Sequence, residues 1–370
     1  QGPVGGAGAT QFDRSARCWR LRLALVGCGK IATRGHLPAL KKLELEGLLE
    51  LVAVADISER AARRAAKAFN VPDYHARPED VAARGDVDAV CICTPTPTHA
   101  GLALLFARSG KHVLVERPLC MTFEEAREIE RAVREAGVKI CVVQNYRYLR
   151  APRAARALVR AGRLGRVLSM LGVLLRPFPV RWTRSLWLYE DGGVIYDNGP
   201  HLVDMVLWLK GIREPEDVRA VHATGGDLIG QAGFVNHAQA LIEFKDGTSA
   251  SVGFSWLVGM EEFLIHAYGT GGSLIIDVLN DVLVEEHGYL SPFDLFRRYR
   301  EAFKHLLSSL LTGRNPYDKP MQVYPALITD FVKAVEGSGR MPVSLGEAMA
   351  TVLVLDEVRR QLAGRRAGEV

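Results

Sequence analysis

The stretch Gly27-Cys28-Gly29-Lys30-Ile31-Ala32 constrains this chain more than any other. Before it runs Leu21-Arg22-Leu23-Ala24-Leu25-Val26, an apolar segment of strand length, and after it the pattern is helical as far as Leu43. A buried strand that ends in a glycine turn and opens a helix is a phosphate-binding geometry. Gly27 permits the tight turn, Gly29 lets a pyrophosphate approach the backbone, and Ala32 is small enough for close helix–strand packing. The helix N-terminus adds free N–H groups and a partial positive charge. A second apolar strand, Leu49 to Ala55, ends at Asp56, where a carboxylate accepts hydrogen bonds from an adenosine ribose. These residues point to a bound dinucleotide. A carboxylate at Asp56 repels a 2′-phosphate, so NAD is expected over NADP.

The segment from 21 to 143 alternates strand and helix. Ser58 is placed to cap a helix ending near Phe69, and Thr122 with Glu125 forms a capping-box pattern before a helix ended by Gly137. Strands are expected over Asp88 to Cys93, Lys111 to Val115 and Val138 to Val143. Repeated β-α units imply a parallel sheet with helices on both faces, and ligands bind beyond its strand carboxyl ends. The Thr94-Pro95-Thr96-Pro97-Thr98-His99 loop and the Glu116-Arg117-Pro118 turn therefore belong beside the glycine turn.

After Gln144 the pattern changes. A helix over 152–161 leads to a strand, then to a loop with Trp182 over 176–191, then to a helix from Gly199 to Leu209. Lys245-Asp246-Gly247-Thr248 and Gly269-Thr270-Gly271-Gly272 each sit between two strand-like runs and predict consecutive hairpins. A helix over 294–311 and two closing helices, 325–336 and 345–362, complete the pattern. The fold class is thus α/β: an N-terminal Rossmann dinucleotide-binding domain, 21–143, and a C-terminal α+β domain, 144–370, with a large, mainly antiparallel, open-faced sheet. Residues 1–20 read as a disordered extension. An open apolar sheet face predicts a homodimer or homotetramer.

The formal net charge of +5 comes from scattered arginines rather than one dense block, which gives no reason to expect nucleic-acid binding. No apolar stretch is long enough to span a membrane. The 6 cysteines form neither a CxxC pair nor a cluster with histidine at zinc spacing. Reduced thiols in a cytoplasmic protein, and no metal site, are the expectation.

Several of these pieces together resemble the Gfo/Idh/MocA family of NAD(P)-dependent dehydrogenases, which act mostly on sugars, cyclitols and related polyols. The glycine turn, Thr94, Pro95 and His99, and Gly110-Lys111-His112-Val113-Leu114-Val115-Glu116 match its first domain. Gly192-Gly193, Asp197, Gly199, His201 and Asp204 match its second-domain motif, and Gly269-Thr270 with Gly272 a later turn. The likeness spans about residues 21 to 362.

The resemblance implies a cofactor site built from Gly27, Gly29, Lys30, Ile31, Asp56, Thr94, Pro95, His99, Glu116 and Arg117. It implies a substrate site at Asn145, Arg147, Asp197 and His201. The family's usual turn is Glu-Lys-Pro, whereas this chain reads Glu116-Arg117-Pro118. Arginine stays charged and cannot exchange a proton, but it polarises a carbonyl or stabilises an alkoxide. Proton exchange then falls to His201, with Arg117 polarising the oxygen and Asp197 holding substrate hydroxyls or orienting the histidine. The expected activity interconverts a secondary alcohol and a ketone on a sugar, cyclitol or sugar acid. The rival expectation is a binding or regulatory protein of the same fold that has lost turnover, with the altered turn at Arg117 as its support.

Overall fold

The computed structural model describes residues 20–178, 192–230, 233–288, 300 and 319–363. Trp182, most of the loop expected over 176–191, nearly all of the helix expected over 294–311 and the extension before Arg20 lie outside them.

The first unit grows around six parallel strands: β1 (Leu21–Val26), β2 (Leu49–Ala55), β3 (Asp73–His75), β4 (Ala89–Ile92), β5 (His112–Val115) and β6 (Ile140–Val142). Their order is β3-β2-β1-β4-β5-β6, so the direction of winding reverses between β1 and β4. Crevices at such a reversal, outside the carboxyl ends of the strands, are where open α/β sheets take ligands. The ends are stitched together there. The Gly27 N–H donates to the Ala55 carbonyl at 2.8 Å, Cys93 N–H to Val26 at 2.7 Å, and Glu116 N–H to Ile92 at 2.9 Å.

Local signals account for the connecting helices. After the glycine turn a π-helical turn, Ala32–His36, runs into α1, Leu37–Leu45. Ser58 caps α2, Glu59–Phe69. The short α3 spans Pro78–Ala82, and α4, His99–Arg108, follows the proline loop. The Thr122–Glu125 capping box opens α5, Phe123–Ala136, and Gly137 ends it with φ +65°.

The second unit begins with α6 (Arg150–Arg160) and β7 (Val167–Pro177). The short α7 (Gly193–Asp197) and α8 (Gly199–Lys210) follow. Then come β8 (Val218–Gly226), β9 (His237–Phe244), β10 (Ser249–Ser255), β11 (Leu257–Gly269), β12 (Gly272–Asp277) and β13 (Val282–Glu286). The seven strands are ordered β13-β12-β11-β7-β10-β9-β8. Both anticipated hairpins are present, and the pairing is antiparallel except between β7 and β10. The edge strands β8 and β13 and the short α7 carry no sequence signal that marked them in advance.

One face of this sheet is covered. Met170, Leu174, Phe254, Phe263 and Ile265 are buried on it. Helix α8 lies so close that a Cβ on Gly172 would stand 2.7 Å from Leu202 Cδ1. On the other face Leu171, Leu241 and Tyr268 are each 40–45% exposed.

The last two helices bind the units together. In α9, Tyr324–Val335, the side chains of Tyr324, Leu327, Ile328, Phe331 and Val332 join the core of the first sheet. A boundary drawn at 144 therefore leaves part of the first core at the far end of the chain. Helix α10, Leu345–Leu362, serves both cores: Met349 and Val352 pack into the first, Val354, Leu355 and Val358 into the second. A helix buried on two sides has no single polar face, which explains its weak amphipathic pattern.

Candidate active site

The glycine turn has the shape a dinucleotide needs. Gly27 has φ +95°, and a Cβ there would lie 2.7 Å from the Cys93 backbone carbonyl, so only glycine fits. Gly29 is exposed and has nothing within 4 Å of an added Cβ, which leaves open room over the turn. Lys30 is exposed and Ile31 half-buried at the helix entrance. Asp56 accepts from the Cys28 N–H and the Ser58 N–H, both at 2.8 Å, through different oxygens. Each oxygen keeps a lone pair for a ribose hydroxyl. These residues fit NAD.

The loops beyond β4 and β5 form the neighbouring wall. Thr94 is half-buried and Pro95 exposed. Thr98 Oγ1 donates to the Pro95 carbonyl and accepts from Thr94 Oγ1, at 2.7 Å each. His99 is buried, with its ring nitrogens 2.8 Å from the carbonyls of Pro118 and Thr94. It braces one loop against the other, and burial lowers its pKa. Glu116 is 9% exposed and points away from the crevice, towards His36 and Tyr324.

Arg117 meets the second unit. Its Nη2 lies 3.6 Å from Asp197 Oδ1, and its Nη1 donates to the Tyr196 carbonyl at 3.4 Å. Both charged side chains are about one-fifth exposed, at 22% and 19%. Asp197 ends α7, and His201 sits in the first turn of α8. His201 is 7% exposed, stands edge-on to Tyr146 at 4.6 Å between ring centroids, and its Nδ1 has no hydrogen-bond partner. Among the described residues no hydrogen bond joins Asp197 to His201, so the aspartate orients Arg117 and not the imidazole.

A residue that sequence reasoning did not single out completes the cluster. Arg176, at the end of β7, donates from Nη2 to the Tyr146 hydroxyl at 3.2 Å and pairs with Glu261 of β11 at 2.8 Å. An arginine at the end of a strand carries no local signal of a site. Its position emerges only from the β7–β11 pairing. The electrostatic result falls on His201. Burial, reinforced by the positive charges of Arg117 and Arg176, drives its pKa well below the ordinary histidine value. At neutral pH the imidazole is uncharged and able to accept a proton.

One of the expected substrate residues, Arg147, is held elsewhere. Asn145 is buried. Arg147 is buried as well, forked onto Asp204 at 2.8 and 2.6 Å and onto Glu347 at 3.2 Å. Its guanidinium is taken up by an ion network that ties 145–148 to α8 and α10. Tyr196 is fully buried, its hydroxyl donating to the Met121 carbonyl at 2.6 Å.

Comparison with known proteins gives two matching family descriptions. "Oxidoreductase family, NAD-binding Rossmann fold" covers residues 21–144, and "GFO/IDH/MocA C-terminal domain" covers 153–275. The chain is 29% identical over 359 residues to an inositol 2-dehydrogenase of Rhizobium meliloti, covering 94% of this chain and 98% of the relative. It is 32% identical to a dTDP-3,4-didehydro-2,6-dideoxy-alpha-D-glucose 3-reductase of Streptomyces violaceoruber, covering 73% and 75%. The crystal structure of the WlbA dehydrogenase from Bordetella pertussis, in complex with NADH and UDP-GlcNAcA, shares the fold at 21% identity. Its TM-score is 0.77, with 94% of this chain and 97% of that chain covered.

The buried fork at Arg147 predicts that Asp204→Asn, which keeps the volume and removes the charge, costs about 3–5 kcal/mol of stability. Denaturant unfolding measures it. A raised KM with undiminished stability would instead put Arg147 at the substrate.

Proposed function

The chain belongs to the Gfo/Idh/MocA family of oxidoreductases, and from that premise we propose that it interconverts a secondary alcohol and a ketone on a cyclitol, sugar or sugar acid, with His201 accepting the proton in the oxidative direction. The observation that carries this reading is the His201 ring, buried against Tyr146 with Nδ1 unpartnered, one short turn along the chain from the Asp197 that pairs with Arg117. The relatives named above support the substrate class.

NAD supplies the hydride acceptor. Gly27, Gly29, Lys30 and Ile31 would take its pyrophosphate, Asp56 its ribose, and Thr94, Pro95 and Arg117 the nicotinamide end. Arg117 cannot give up a proton at any accessible pH, so its part is electrostatic: it stabilises the negative oxygen as the hydroxyl proton departs. His201 accepts that proton. Asp197 holds Arg117 in place and offers its free lone pairs to neighbouring substrate hydroxyls. Tyr146 packs against the imidazole and, through its hydroxyl, holds Arg176. The rival reading, a fold retained without turnover, finds no favouring observation.

The outward face of the seven-stranded sheet supports a second copy of this chain as its partner. Leu171 and Val173 of β7 and Leu264 of β11, which pairs with Val173, form an apolar area across two strands, and Ser251 of β10 stands between Leu171 and Leu241.

His201→Ala is expected to lower kcat about 10²- to 10⁴-fold with the NAD dissociation constant unchanged; joint loss of both would indicate a folding role. Because the imidazole pKa is depressed, the accepting form persists on acidification. The kcat/KM for oxidation should stay flat through the ordinary histidine value and fall only at lower pH. A limb at or above the ordinary value would contradict the assignment. Leu171→Arg should halve the mass measured by light scattering, and an unchanged mass would remove this face as the interface.

A further inference from the structure

Beneath the cofactor crevice lies a group of side chains that the proposed reaction leaves unused. Cys91 and Cys93 are two residues apart on extended backbone, so both thiols leave the same side of the chain. Their sulfurs are 3.6 Å apart. The π-helical turn Ala32–His36 brings His36 to them, with Nδ1 3.2 Å from Cys91 Sγ. All three donor atoms lie within 4.8 Å of one another, and all three residues are buried.

We propose that His36 Nδ1, Cys91 Sγ and Cys93 Sγ form a binding site for one thiophilic d¹⁰ cation, Cu⁺ or Zn²⁺. Three features carry the assignment. The first is distance. Around a metal with bonds of about 2.3 Å to sulfur and about 2.0 Å to nitrogen, trigonal donors stand about 4.0 Å (S to S) and about 3.7 Å (N to S) apart. The Cys91–Cys93 sulfur separation and the His36 Nδ1–Cys91 Sγ separation are each within about half an ångström of these, and Nδ1 lies within 4.8 Å of Cys93 Sγ, so small side-chain rotations close the set. The second is the outer partner of the imidazole. His36 Nε2 lies 2.8 Å from Glu116 Oε1, and Glu116 also accepts from the Tyr324 hydroxyl at 3.1 Å. A carboxylate on Nε2–H leaves the Nδ1 lone pair turned to the thiols, which is the arrangement that orients a ligating histidine. The third is donor chemistry. Two thiolates and one imidazole with no hard oxygen in the set select soft cations over Mg²⁺ or Ca²⁺. The alternative covalent use, a disulfide, is disfavoured. Same-side positions two apart on one strand are separated by about 6.5 Å or more, at the far end of the Cα range a disulfide accepts.

The test uses the reduced full-length chain. In one arm Cu⁺ is offered from a chromogenic chelator; in the other Zn²⁺ is offered and retained metal is measured after gel filtration. Retention of one equivalent in either arm, falling at least tenfold in the Cys91→Ser/Cys93→Ser double variant with NAD affinity preserved, is the expected result. No retained metal, or equal retention by the double variant, overturns the proposal. Should the double variant not fold, X-ray absorption of the loaded wild type decides: two sulfurs and one nitrogen, with one added solvent oxygen on Zn²⁺, support the site, and a shell without both sulfurs refutes it. These readouts do not depend on turnover.

Discussion

Glu116 carries its charge inside the protein, and three distant stretches of chain meet to keep it there. Burial alone pushes its carboxyl pKa up, yet hydrogen bonds from His36 and Tyr324 and the nearby Arg117 charge outweigh burial and hold it below the carboxylate range. An unpaired carboxylate at such a depth costs several kcal/mol. The cost is avoided only if the π-helical turn after the glycine loop, the turn after β5 and the start of α9 converge on one point. The placement of Arg117 follows. Its own N–H is 3.2 Å from Glu116 Oε2, so the side chain next to the anchored carboxylate is directed out towards Asp197 and the second unit.

That direction sets the charge of the cleft. Two guanidiniums, Arg117 and Arg176, stand near an imidazole, each with its own carboxylate, Asp197 and Glu261. The same positive field that makes His201 a weak base stabilises an oxyanion beside it. In the oxidative direction the field disfavours the protonated imidazole and favours the oxyanion, so it lowers the basicity of the acceptor and raises the acidity of the substrate hydroxyl together. A lysine in place of Arg117 is able to share proton exchange; arginine is not, so the division of labour with His201 becomes strict.

Much of the fold was legible because its signals are local. The glycine turn, the Ser58 cap, the Thr122–Glu125 box, the Gly137 stop and both hairpin turns each rest on a few adjacent residues with strong local backbone preferences. Asp197 and His201 were readable from their motif, and Arg117 from its departure from a pattern. The misplacements share one cause. Arg147 reads as a cleft residue because it follows the last parallel strand, but its partner Asp204 lies 57 positions away and Glu347 lies 200 positions away. Arg176 has no neighbouring signal at all. Helix α9 reads as part of the second unit by position and belongs to the first core by packing.

By itself, then, the amino-acid order determined most of the strands and helices but not β8, β13 or α7, and that a dinucleotide fold with a second, mainly antiparallel sheet would form. These properties rest on hydrogen-bond geometry and apolar periodicity within a few residues. Tertiary structure alone decided which charges neutralise one another, which histidine stays uncharged, and that His36 lies against Cys91 and Cys93. Those outcomes depend on distances across strand orders and between sheets, and Coulomb and hydrogen-bond energies respond to separation in space, not along the chain.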